Sequence, residues 1–152
     1  MDHNSPMRQL IDAWYDDWFA MDRMYYEWAR ERGITGNILF TLYAIDVIGK
    51  ACTPSQIVDK LALSKQTVNS TLDTLEARGL IARQRDTVDQ RSRIVSLTEA
   101  GRAYAEALLG ELDAAERAVF SEMGDDARTL VARARQLVQA MRRAFAAQKA
   151  DD

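Results

Sequence analysis

The chain has 152 residues, 47% of them hydrophobic and 28% charged, enough for one compact domain with a sizeable core and too apolar for a disordered tail. Its one cysteine, Cys52, and one histidine, His3, exclude an internal disulfide framework and a thiolate or imidazole cluster for a transition metal. The start MDHNSPMRQL lacks the basic lead and apolar stretch of a secretion signal, and no run is apolar enough to span a bilayer, so a soluble cytoplasmic protein without membrane partner or cofactor is expected.

Residues 7 to 31 predict one long helix. Met7, Ile11, Trp14, Trp18, Met21, Tyr25 and Trp28 recur at alternating spacings of four and three, a seam that asks for a partner helix. Leu10, Tyr15, Phe19 and Met24 widen the apolar surface beyond a two-stranded seam, so it should meet both a partner chain and its own domain. Gly33 stops this helix. A second, roughly 35 to 48, carries ILFTLYAIDVI, apolar nearly all round, as a buried central helix would be.

The stretch TPSQIVDKLALSKQTVNSTLDTLEARG reads as two capped helices. Thr53 caps the first, Pro54 takes the position that tolerates proline, and Gln56 completes a capping box. Ser64 caps the second, where Val68, Leu72 and Leu75 face inward and Gly79 ends the run. Residues 80 to 85 and 93 to 97 are strand-like and are joined by the polar turn DTVDQRS. The fold class is therefore mainly α with a small β-hairpin wing, a winged helix-turn-helix. Thr98 starts another helix, with Tyr104, Leu108, Leu112, Ala115, Val119 and Met123 in one stripe. Gly124 and Asp125 break it, and a last helix from about 126 to 148 carries Leu130, Ala134, Leu137, Met141 and Phe145 before fraying into AAQKADD.

The net charge of −3 argues weakly against nucleic acid until it is mapped along the chain. Residues 53 to 97 hold Lys60, Lys65, Arg78, Arg83, Arg85, Arg91 and Arg93 against Asp59, Asp73, Glu76, Asp86 and Asp89, a local basic surplus. It coincides with the hairpin. The second capped helix leaves Lys65, Gln66, Thr67, Asn69, Ser70 and Thr74 off its apolar face. Gln and Asn suit adenine, the Thr methyl suits thymine, and Lys reaches guanine or phosphate. A polar exposed face is the bland alternative; the capped neighbour helix and the basic hairpin weigh against it. Asp89 and Arg91 stand two residues apart and share a face of the extended backbone, so the carboxylate can orient the guanidinium toward a minor groove. Arg83, Arg85 and Arg93 would serve phosphates or brace the wing.

The stretch LSKQTVNSTLDTLEARGLIARQRDTVDQRSRIVSLTEAG resembles the MarR family of bacterial transcription regulators. Its most specific parts are LEARGLI followed by Arg83, the pair Asp89 and Arg91, and VSLTEAG at 95 to 101. The resemblance implies a homodimer, with a helical dimerisation lobe from residues 1–34 and 98–152 and a winged helix-turn-helix DNA-binding lobe from residues 35–97. It implies a pseudo-palindromic operator in double-stranded DNA, usually repressed until a ligand or oxidation releases the protein. The candidate DNA contacts are Ser64, Lys65, Gln66, Thr67, Asn69, Ser70, Arg83, Asp89, Arg91 and Arg93. Many relatives carry Arg where this chain has Ser70 and Thr74, so readout here leans on Gln66, Thr67 and Asn69.

Two features are candidate sensors. Trp14, Trp18, Tyr25, Phe40 and Tyr43 lie on the first two helices, where the resemblance places a cleft, and could line a pocket for a phenolic or aromatic effector; heptad-spaced rings more often pack as core or interface. Cys52 has no second thiol and only Lys50 nearby in sequence to acidify it, so an inert packed residue is expected. Catalysis is not expected: no histidine is placed as a general base, no Gly-rich phosphate loop occurs, and Asp16, Asp17 and Asp22 read as a solvated face. The alternative to a DNA-binding regulator is a winged-helix protein-interaction module with little DNA binding.

Overall fold

The structure, a computed structural model, describes residues 5–49, 51–85 and 93–150. Its elements run α1 (Pro6–Glu31), α2 (Gly36–Ile48), α3 (Pro54–Leu61), α4 (Lys65–Ala77), β1 (Ile81–Arg85), β2 (Arg93–Leu97), α5 (Glu99–Met123) and α6 (Asp125–Ala150). They fall into two compact units, Met1–Glu106 and Ala107–Asp152. The order is the expected one, mostly helical with a single antiparallel hairpin. No helix among the described residues is long and apolar enough to cross a membrane.

In the first unit, local signals start the helices. The side chains of Ser5, Thr35, Thr53 and Ser64 each accept a hydrogen bond from a backbone amide of the first turn they cap, satisfying donors the helix itself leaves orphaned. At α3 both halves of the capping box form, with the Thr53 amide donating to Gln56 Oε1 at 2.8 Å. Gly79, at φ +69, ends α4; a left-handed turn there costs glycine little.

The core gathers on α2. Ile38, Leu39, Leu42 and Ile45 are buried, and α2 packs against α1, α3, α4 and β2. Ile57 from α3, Val68, Leu72 and Leu75 from α4, Ile81 from β1 and Val95 from β2 complete it. An all-round apolar helix has only one stable place, the middle. Cys52 proves to be part of this frame: its amide donates to the Val95 carbonyl at 3.0 Å and the Val95 amide donates back at 2.7 Å. The pair adds a one-residue rung to the free edge of β2.

In the second unit, the later part of α5 and α6 meet at Gly124, at φ +58. Val119, Phe120, Leu130, Val131, Leu137, Val138, Met141 and Phe145 are exposed along them. The expected fraying at the C-terminal end is not found: α6 continues to Ala150. Ala146, Ala147, Gln148 and Lys149 are strong helix formers, and Lys149 lies at the negative end of the helix dipole.

Candidate nucleic-acid interface

The site is built from α4 and the ribbon. The turn between α3 and α4 passes through Ala62 at φ 53 and ψ 31, a left-handed conformation that a residue with a β-carbon adopts reluctantly. It ends at the Ser64 cap. Val68, Thr71, Leu72 and Leu75 are buried, which turns Lys65, Gln66, Asn69 and Ser70 outward, all exposed. The side chains of these four make no hydrogen bond or ion pair among the described residues. Thr67 is half-buried and its hydroxyl lies 2.8 Å from Ser64 Oγ, which also accepts from the Thr67 amide at 3.0 Å. Ser64 is thus occupied as the cap. Thr74, another polar position of α4, donates its hydroxyl back to the Ser70 carbonyl at 3.0 Å.

Pairing of β1 with β2 sets Ile81 opposite Leu97, Arg83 opposite Val95, and Arg85 opposite Arg93. Directly opposed residues of an antiparallel pair share a face. One face of the ribbon therefore carries apolar side chains at its base and two arginines at its outer end. Like charges directly opposite each other destabilise a hairpin, and neither Arg85 nor Arg93 has an ion pair among the described residues. Their arrangement suits an anion that would sit between them. Asp89 and Arg91, expected at the wing tip, lie outside the described residues.

Arg83 turns from the ribbon to α4. Its Nη2 donates to Asp73 Oδ1 at 2.6 Å, its Nε lies 3.4 Å from Glu76 Oε2, and its side chain is only 12% exposed. The guanidinium is thus hydrogen-bonded to Asp73, while its buried Nε faces Glu76 without a hydrogen bond. In the sequence, the signal for this contact is the spacing of three between Asp73 and Glu76 on one helix face, followed by a basic strand.

The rings proposed as a pocket lie on α1 and α2. Trp14 and Trp18 contact each other at 6.4 Å on exposed α1, and Tyr25 packs against Phe40 at 5.7 Å. An open groove of about 670 Å³ lies elsewhere, between the α1–α2 turn and α4. Arg30 and Arg78 line it together with Thr35, Asn37, Gln66 and Ser70, and none of Trp14, Trp18, Tyr25, Phe40 or Tyr43 does. No sequence pattern links Arg30 to Arg78; only the packing of α2 on α4 does. Burial pushes the Cys52 thiol up to about 11, which suppresses the reactive thiolate.

Comparisons with known proteins agree with this geometry. A family model described as MarR family matches residues 32–92. The HTH-type transcriptional regulator PecS of Dickeya dadantii (strain 3937) is 34% identical over 79 residues, 52% of this chain and 48% of that protein. The match thus spans about half of that curated relative. Among solved structures, NMB1585 of Neisseria meningitidis, a MarR family regulator, aligns with a TM-score of 0.77 at 30% identity, over 90% of this chain and 96% of that one. The S. aureus MepR–DNA complex shares the fold, with a TM-score of 0.68 at 23% identity over 85% of this chain and 95% of that one.

Proposed function

We propose, from the premise that this chain belongs to the MarR family of transcription regulators, that it binds duplex DNA as a homodimer and represses transcription from a pseudo-palindromic operator. The observation that carries the reading is the outward face of α4: Lys65, Gln66, Asn69 and Ser70 stand exposed on a capped helix braced to the ribbon that presents Arg85 and Arg93. In the proposed complex α4 enters the major groove. Gln66, Thr67 and Asn69 face base edges, Lys65 and Ser70 reach a base or phosphate, and the Ser64 cap directs the first amides of α4 toward phosphate. Arg85 and Arg93 meet the backbone beside the minor groove, which Arg91, oriented by Asp89, enters.

Residues 1–34 and 98–152 form the dimerisation lobe in this reading, and residues 35–97 the DNA-binding lobe. Support comes from apolar surface that a solitary chain would leave in water: Met7 is 66% and Trp18 57% exposed on α1, while Leu137 and Phe145 are exposed on α6. The helices also differ in charge. α1 carries six acidic against three basic side chains, and α6 carries six basic against two acidic, a complementarity that would favour association of copies.

Release by a small aromatic or phenolic effector is the regulatory part of the proposal. The groove beside α4 supports it, since Arg30 and Arg78 would hold an acidic group of such a ligand while Gln66 and Ser70 are shared with the base-reading face. Bound ligand and bound DNA would compete.

Selection of genomic fragments on the purified chain, with and without a panel of aromatic acids, tests the whole reading. Enrichment of an inverted-repeat site, with affinity falling steeply as salt is added, is the expected result. A chain that retains no duplex at low ionic strength sinks it and favours the protein-interaction module instead.

A further inference from the structure

From the fork that Arg83 makes with Asp73 and Glu76, we infer that Arg83 is a positioning residue that sets the angle between the ribbon and α4 and so the DNA selectivity of the protein. The inference rests on the DNA-binding reading above and deepens it. On β1, the register places Arg83 opposite buried Val95, on the same face as buried Ile81. Packing alone would put an apolar residue there. The guanidinium instead turns to α4, where it donates a hydrogen bond to Asp73 at 2.6 Å and ion-pairs with Glu76 at 3.4 Å, its buried Nε otherwise unsatisfied.

Three physical consequences follow from this geometry. A planar guanidinium with one edge hydrogen-bonded to Asp73 and another ion-paired with Glu76 has a preferred orientation that a single ammonium lacks. The held strand leads directly to Arg85, two residues on, so the fork's angle determines where the outer arginines stand relative to Gln66 and Asn69. Asp73 and Glu76 are themselves more than two-fifths exposed, at 69% and 45%. Without Arg83 they would add unbalanced negative charge to a surface that meets phosphate.

The decisive variant is Asp73→Asn with Glu76→Gln, because charge and position act on separate readouts in it. Removing two negative charges from a DNA-binding surface raises affinity for any duplex on electrostatic grounds. Loss of the fork lowers the preference for the selected site over random duplex, by about tenfold for coupling within one ion-pair network. The expected result is stronger binding to random duplex together with that loss of selectivity. Arg83→Lys should lose selectivity as well, whereas Arg83→Glu combined with Asp73→Arg and Glu76→Gln should recover part of it.

Selectivity unchanged in the neutralised variant would overturn the inference. So would an Arg83→Ala chain whose log–log salt slope drops by about 0.9, the signature of one lost phosphate contact. The clamp is also read without DNA: spin labels at Ala77→Cys and Gln84→Cys, both exposed positions, should show a distance distribution that broadens when Asp73 and Glu76 are neutralised. An unchanged distribution refutes the clamp, whereas failure of the unaltered chain to bind any duplex refutes the DNA reading and leaves the spin-label result standing.

Discussion

A β-carbon on Gly101 would fall 1.7 Å from the carbonyl oxygen of Leu80. That close approach joins the start of α5 to the turn between α4 and β1. Thr98 completes the junction: its amide donates to the Leu80 carbonyl at 3.1 Å and its hydroxyl to the Gly79 carbonyl at 2.7 Å, while the Gly101 amide donates to the Thr98 hydroxyl at 2.9 Å. The string SLTEAG thus has a mechanical meaning. Its threonine ties off two carbonyls left open after α4, and its glycine lets the backbones touch.

Gly101→Ala is therefore expected to destabilise the protein by about 3 kcal/mol, the upper range for overpacking a rigid contact, because the obstructing atom is backbone. Gly110, also on α5, has nothing within 4 Å of a β-carbon. Gly110→Ala should stabilise by up to about 1 kcal/mol from helix propensity. Urea unfolding of the two variants checks both signs, and equal effects would contradict the junction.

Cys52 is 1% exposed and its thiol is raised from 9.0 to about 11 by burial. An unfolded chain sheds that proton near pH 9 while the folded chain keeps it. Stability present below pH 9 is then lost as pH rises toward 11, by about 3 kcal/mol for a shift of this size. Against Cys52→Ala as reference, the stability gap should stay constant up to pH 8 and narrow above pH 9. Iodoacetamide should label the folded chain at pH 8 far more slowly than the chain in urea. A gap that widens with pH, or equal labelling rates, would remove the argument.

Trp18→Glu places a charge in the middle of the exposed α1 seam and removes the ring contacts with Trp14 and Tyr15. If copies associate through that seam, sedimentation should show a species of twice 17.2 kDa for the unaltered chain and a shift toward the single chain for the variant, with unchanged helical circular dichroism. Operator affinity should fall with it, since one half-site alone holds fewer phosphates. A variant that sediments like the unaltered chain would place the interface elsewhere.

Lys65 and Gln66 are neighbours with different expected roles. Lys65→Ala should weaken binding uniformly across sequences and reduce the salt slope by about 0.9, whereas Gln66→Ala should cost about 1–3 kcal/mol at one base position and leave the slope alone. Binding to a library of single-base operator variants separates the two. The same pattern for both residues would mean that α4 does not read bases with this face.

What the sequence determined alone is whatever is encoded within a few residues. Thr53 with Gln56 three positions on, Ser64 before Val68, and Gly79 after Leu75 specify caps and ends by local hydrogen bonds and backbone freedom, and those helices form where their signals stand. At the C-terminal end the fraying expected of AAQKADD gives way to helix as far as Ala150, in keeping with the helix-forming tendency of Ala146 and Ala147. Tertiary structure alone decided the long-range pairs: Cys52 with Val95, Arg83 with Asp73, Gly101 with Leu80, and Arg30 with Arg78 across the groove. Apart from the carboxylates spaced three apart that face Arg83, these pairs have no local signature, because each depends on the angle at which separately formed elements meet. That angle is set by the burial of Ile38, Leu42 and Ile45 of α2 among their neighbours, a property of the packed core rather than of any short stretch of chain.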